Sequence, residues 1–222
     1  MLTFIIAIPT WAQQNEPVEL PDQPQNVIAF VPQYAILKGI RIDYEKRLKN
    51  SDHWIVMAPQ IFLDATNNNF FYYDDGDYDS YESMVGFGLN LYYKSMVFKS
   101  DKVNWKSGLP RHSLYFSAGP NYQHFALTNT EEVAVPFIED GTTYYQFDVQ
   151  EVKKRINRFG GVANAGWQFA FDRFLLDLYL GVAIKYSVDE NGSMIKSNYS
   201  QWTDMSYTGI LLDGGFRIGM FF

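Results

Sequence analysis

From Tyr207 to Phe222 the chain alternates with period two, and the two sets of side chains are of opposite kinds. Ile210, Leu212, Phe216, Ile218, Met220 and Phe222 fall on one face, and Leu211, Asp213, Gly215, Arg217, Gly219 and Phe221 fall on the other. Period two is the repeat of a β-strand, whose successive side chains leave opposite faces. A soluble strand turns its apolar face to a core and its polar face to water. Here one face is apolar to its aromatic end while the other mixes glycine with two charges, the pattern of a strand with lipid outside and a small polar interior. The fold class predicted is all-β, a closed antiparallel transmembrane β-barrel.

Eight segments carry a strand pattern: Asn26–Tyr34, Gly39–Leu48, Trp54–Asp64, Glu82–Phe98, Ser113–Thr128, Arg155–Phe171, Phe174–Tyr186 and Ser206–Phe222. An even number places both ends of the barrel chain on the periplasmic side. Long and short connections then alternate. Lys49–His53, Lys99–His112 and the Asp172-Arg173 pair are predicted periplasmic turns; Ala35–Lys38, Ala65–Tyr81, Asn129–Lys154 and Ser187–Met205 are predicted outer loops. The 18 Phe, 16 Tyr and 5 Trp suit aromatic girdles at two membrane interfaces. Mean hydropathy is only −0.21, and no apolar run reaches the roughly 18 residues that a membrane helix needs.

The closing strand with its C-terminal Phe222 resembles the terminal strand that the barrel assembly machinery of Gram-negative bacteria reads as a signal. Gly39-Ile40-Arg41-Ile42-Asp43-Tyr44-Glu45-Lys46-Arg47-Leu48 resembles an early strand of the small outer-membrane barrels common in Bacteroidota, of OmpA/OmpX-like, eight-stranded architecture. The resemblance implies an outer-membrane location, with outer-membrane lipid and the assembly machinery as partners. It implies no biochemical activity.

Leu2 to Ile8 forms a short apolar segment followed by Thr10-Trp11-Ala12, which reads as a signal peptide over residues 1–12. No basic residue precedes that segment, so its true start is expected upstream of Met1. Residues 13–25 carry Pro17, Pro21 and Pro24 and are predicted to be a periplasmic tail, because proline at that density disfavours pairing. The barrel is assigned to 26–222.

Alternation also says what faces inward. Arg41, Asp43, Glu45 and Arg47 oppose Ile40, Ile42, Tyr44 and Leu48; Asp177, Tyr179, Gly181, Ala183 and Lys185 oppose Leu176, Leu178, Leu180, Val182 and Ile184. Gly86, Gly88, Asn90, Tyr92 and Lys94, then Asn164, Gly166 and Gln168, share the inward phase. An eight-stranded barrel is just wide enough for its side chains to fill. Arg41, Asp43, Glu45, Lys94, Arg158, Asp177, Lys185, Asp213 and Arg217 therefore read as a charge network in a plugged lumen, or else as a polar or proton-conducting path.

Candidates for chemistry are few. Cysteine is absent, so no disulfide, thiol nucleophile or Cys-based metal site exists. The net charge of −7 without a Lys/Arg cluster argues against a nucleic-acid partner. Of His53, His112 and His124, the first two fall in predicted periplasmic turns. His124 lies near the outer end of its strand beside Tyr122, with Asp148 or Glu151 and Ser197 or Ser200 as conceivable reaction partners, or else as an interface histidine. Asp75, Asp77 and Asp79 cluster hard oxygen ligands of the kind Ca²⁺ takes, but Ser80 stands where an EF-hand has glycine, so a solvated acidic loop competes with a Ca²⁺ site. No other cofactor is expected.

Phe70, Phe71, Tyr72, Tyr73, Tyr78, Tyr81, Tyr144, Tyr145, Phe147, Tyr199, Trp202 and Tyr207 interleave with acids in the outer loops. Such rings belong to a girdle or offer rigid contact area for a binding surface. The expected role is structural or recognitive, exercised through acidic, aromatic outer loops. A lipid- or peptide-modifying enzyme centred on His124, and a narrow channel or accessory subunit of an envelope complex, are the alternatives.

Overall fold

A strand leaves no backbone group unmet only when both its edges are paired. In a computed structural model the chain meets that condition: each strand has two antiparallel neighbours and the sheet closes on itself in chain order. The structure describes residues 24–49, 51–64, 83–103, 108–196 and 205–222. Among them the strands are β1 (Asn26–Phe30), β2 (Gly39–Arg47), β3 (His53–Asp64), β4 (Ser83–Lys99), β5 (His112–Glu139), β6 (Thr142–Phe171), β7 (Phe174–Val188) and β8 (Gly209–Phe221). β1 and β8 close the seam from Val27↔Phe221 to Phe30↔Ile218. Beyond it Asn26 and Phe222 exchange backbone hydrogen bonds of 3.1 and 3.0 Å. We call this end of the barrel the terminal end and the opposite one the loop end. The signal segment 1–12 and all but the last two residues of the tail 13–25 lie outside the described residues.

The inside-out pattern holds around the wall. Ile40, Ile61, Val85, Phe87, Leu180, Ile184, Leu212 and Ile218 are exposed, while Arg41, Gln60, Lys94, Asp177 and Arg217 are buried. An apolar surface this extensive is not carried in water by a monomeric soluble protein, whereas lipid is its natural solvent.

The boundaries differ from the sequence expectation by more than two residues in three places. β1 stops at Phe30 because Pro32 opens a 3₁₀ turn, Pro32–Ala35, inside the segment expected to stay extended. β8 begins at Gly209 rather than Ser206. The largest difference is the expected loop Asn129–Lys154, which continues β5 and β6 as one hairpin from Thr128↔Lys153 to Glu139↔Thr142. Asp140 and Gly141 turn it, with φ of 51° and 76°, the two successive positive values that a tight two-residue hairpin needs. The ribbon rises about 35 Å above the last β4 partner, at about 3.4 Å per residue.

Two prolines mark the wall. Pro59 has no N–H to give β2, and the β2–β3 register skips from Arg41↔Gln60 to Tyr44↔Met57. Pro120 does the same between β4 and β5, where pairing skips from Asn90↔Asn121 to Tyr93↔Ala118. Each interrupts one ladder only, since Pro59 still pairs with Leu89 and Pro120 with Gly161 on the other side. Next to Pro120, a Cβ on Gly119 would run into the backbone of Leu91, so the closest approach of β5 to β4 requires glycine there.

At the terminal end Asp52 holds the β2–β3 turn, accepting from Lys99 Nζ at 2.7 Å and Arg47 Nη2 at 3.4 Å. The Lys99 hydrogen bond, reinforced by both positive charges, keeps its carboxyl below the ordinary value of 3.8. A carboxyl lowered in the folded state adds stability above its unfolded pKa and loses it as pH falls through the folded one. Because both partners are partly exposed, the contribution is small. Asp52→Asn should shift the urea midpoint little at pH 7, and less still at pH 3.

Candidate functional site in the barrel lumen

Each inward position is fixed by strand phase, so the lumen fills in layers. The lowest, at the terminal end, is apolar: Val27, Ala29, Trp54, Ala170, Leu175 and Phe221 pack with Leu109, which the β4–β5 connection folds inward. Above it lies an ionic layer centred on Arg217.

Arg217 Nη1 donates to Asp43 at 3.0 Å and to Glu45 at 2.7 Å; Nη2 donates to the Tyr115 hydroxyl at 3.0 Å and to Asp177. Asp177 stands directly opposite Arg217 in the β7–β8 register. Asp43 is farther away, on β2, and becomes reachable because the residues between are small: Ala29 pairs with both Asp43 and Gly219. Lys94 Nζ donates to Glu45 and Gln168, each at 2.8 Å, and lies 3.5 Å from Asp177. Arg41 grips Asp43 with two bonds of 2.6 and 2.8 Å. Three acids, Asp43, Glu45 and Asp177, thus meet three bases, Arg41, Lys94 and Arg217, all buried. Charges so far from water persist when paired and hydrogen-bonded, as these are. The space left among Arg41, Lys94, Tyr115, Asn164 and Arg217 is about 10 Å³, close to the least that can hold one water.

Toward the loop end the lumen opens into a cavity of about 180 Å³, lined by Tyr34, Asn90, Gln123, Arg158, Lys185 and Asp213 among others. Arg158 donates twice to Gln123 at 2.9 and 2.7 Å and once to the Met205 carbonyl at 3.2 Å. Asn164 donates to Asp213 at 2.9 Å. Phe62, Met84, Phe125, Leu127 and Ile156 form an apolar collar nearby, with Tyr34, Ile195 and Met205 against it.

Sequence phase places all nine charges of the expected network inward, and the structure divides them. Six form the ionic layer, while Arg158, Lys185 and Asp213 line the cavity. Tyr115, Gln168 and Gln123 are members that charge alone does not mark; their signal is that they share the inward phase of β5 and β6.

The histidines do not gather. His53 and His112 open β3 and β5 instead of lying in turns, and they pack in an aromatic belt at the terminal end, His53 on Tyr93 and His112 beside Phe98 and Trp167. His124 faces outward against Phe87, with Nδ1 2.9 Å from Asn157 Oδ1, which also accepts from Tyr122 at 2.8 Å. Since His124 pairs with Asn157, Thr130 with Glu151 and Val133 with Asp148, the hairpin lifts Glu151 and Asp148 about 20 and 30 Å from His124 along the strand. Ser197 and Ser200 lie outside the described residues, as do Asp75, Asp77 and Asp79. Among the described residues no group of three or more acids or histidines is placed to hold a metal ion.

No protein-family model matches the chain, and no curated protein matches it. Among solved structures, the crystal structure of CarO from Acinetobacter baumannii is similar at 14% identity and a TM-score of 0.39, over 90% of this chain and 98% of that one. At that distance the fold assignment rests on the ring of strands itself.

Proposed function

We propose that this protein is an outer-membrane β-barrel of a Gram-negative bacterium whose lumen is closed by its own side chains and whose role, structural or recognitive, is exercised from the loop end. The observation that carries this reading is the stacking of an apolar seal and a charge-balanced ionic layer, with room for about one water between the charged groups. A hydrated ion has no continuous path through such a layer. Planar bilayers containing the purified protein should accordingly show no discrete conductance steps, and regular steps would favour a narrow channel.

Recognition is assigned to the β5–β6 hairpin. It presents Phe137, Tyr144, Tyr145 and Phe147 in exposed positions, with Glu132, Glu139, Asp140, Asp148 and Glu151 interleaved. Phe137 and Tyr144 stack at 5.5 Å across the last rungs of the ladder. Rigid rings among acids suit an envelope protein partner with basic and apolar groups. The test replaces residues 130–151 by an Asn-Gly turn. Mild detergent extraction of the wild type should recover a stoichiometric envelope partner, and the shortened protein should lose it while still inserting. A partner retained by the shortened protein would move recognition elsewhere.

The segment with Asp75, Asp77 and Asp79 is assigned a solubilising role. Calorimetry with millimolar Ca²⁺ should give no binding heat; heat that disappears in the triple Asp→Asn variant would make it a Ca²⁺ loop instead.

A further inference from the structure

One row of the lumen wall can be followed strand by strand: Asn121 of β5 pairs with Gly160, Gly160 with Lys185, and Lys185 with Gly209. Lys185 thus stands between two residues without side chains. The space a Cβ would take at Gly160 is entered by the Asn121 amide oxygen, and that at Gly209 by the ring of Tyr207. Between them the lysine lines the loop-end cavity, 9% exposed.

Two lysines are buried among the described residues, and their situations are opposite. Lys94 is tied to Glu45 and Gln168. Lys185 makes no hydrogen bond and no ion pair with any described residue. The acid that lines the cavity, Asp213, faces Gly181, four residues along β7 from Lys185, and accepts from Asn164. Four residues of strand put it about 13 Å away, beyond the reach of an ion pair. Arg158 is engaged elsewhere, by Gln123 and the Met205 carbonyl among others.

Lysine acts as an amine nucleophile where it is desolvated in an apolar pocket, and its characteristic partner is a carbonyl carbon. Val162, Ala183, Leu211 and Phe62 supply such a wall here. The unpaired polar atoms nearby belong to amides: Asn90 Oδ1 and both side-chain polar atoms of Asn121 are buried without a hydrogen bond. Gly160 opposes Lys185 directly, and opposed residues have Cβ positions about 4.5–5.5 Å apart. The Asn121 amide therefore ends one strand width from the lysine, where it offers an acceptor and a donor to a hydroxyl formed beside the amine.

We propose that Lys185 captures small apolar aldehydes as a reversible imine, the carbon chain lying against Val162, Ala183 and Leu211. The amine lone pair forms the C–N bond as the carbonyl π electrons move to oxygen. Both nitrogen protons pass to that oxygen, and cleavage of the C–O bond releases one water and leaves C=N. No oxidant or reductant is consumed, and water reverses the step. The volume of about 180 Å³ lies below the roughly 300 Å³ at which drug-sized ligands begin, so the occupant is a short chain. The ligand is uncharged, so the site needs no excess of positive charge, and it does not depend on what the hairpin binds.

The test uses the full protein in detergent with limiting hexanal and sodium cyanoborohydride, which reduces the imine to a stable secondary amine that peptide mass mapping locates. Lys185 should be alkylated at least about tenfold faster than Lys153, whose side chain is 75% exposed. Excess 1-hexanol, which fills the same space without a carbonyl, should slow alkylation of Lys185 and leave that of Lys153 unchanged. Lys185→Arg should lose the fast adduct and keep the slow ones. A smaller rate ratio, hexanol without effect on Lys185, or a fast adduct that persists in Lys185→Arg would overturn the proposal. The first two comparisons are made within the wild-type protein, so they decide the matter even if Lys185→Arg fails to fold.

Discussion

Arg217→Leu should unfold at a much lower urea concentration than Ile218→Leu, although the two positions are adjacent. Among the described residues Arg217 is the one side chain that touches Asp43, Glu45, Asp177 and Tyr115 together. Removing it leaves three buried carboxylates facing only Arg41 and Lys94, and breaking a buried ionic cluster in this way costs about 3–5 kcal/mol. At about 2 kcal/mol per molar urea, that corresponds to a midpoint lowered by about 2 M. Ile218 is exposed on the outer face, where exchanging one aliphatic side chain for another of equal volume costs less than about 1.5 kcal/mol. Circular dichroism of both variants during urea titration in micelles measures the contrast. Equal midpoints would mean that the ionic layer does not hold the wall together.

The second large effect concerns the closed ring. Without heating, the protein should stay folded in SDS and migrate as a compact species, then shift to a slower band after boiling. The reason is that detergent finds no free strand edge in the ring: hydrogen bonds run from β1 through β8 and back across the Val27–Phe30 seam. A protein that salt extracts from membranes, with no heat-dependent shift, would overturn the membrane-barrel reading.

What the sequence made legible was phase. Alternation alone assigned Arg41, Asp43, Glu45, Lys94, Asp177 and Arg217 to the interior, and the structure buries all six. It could narrow the partners only partly. Which charge meets which depends on strand stagger and on the size of intervening residues, such as Ala29 and Gly219 between Asp43 and Arg217. Tyr115 and Gln168 carry no charge and so gave no signal stronger than their phase. The hairpin was hidden for a different reason. Val133, Val135 and Phe137 alternate as a strand would, and Asp140-Gly141 is a strong turn signal, but interleaved acids and length read as loop. The 3₁₀ turn after β1 was marked by Pro32, yet the hydrophobic run through Val31 outweighed it.

The ladders differ greatly in length, and this sets an order of events. β5 and β6 pair along their whole length about a two-residue turn, so their closure is local and entropically cheap. β1 and β8 pair over a short ladder, Val27 to Phe30 with the Asn26–Phe222 bonds just beyond it, between residues that are nearly the whole barrel chain apart. The long ribbon is therefore the natural nucleus, and the seam forms last. The same asymmetry runs in reverse once the barrel stands: backbone amides of β1 and β8 should exchange with deuterium before those of the β5–β6 wall, and the door of the barrel is where its C-terminal phenylalanine sits.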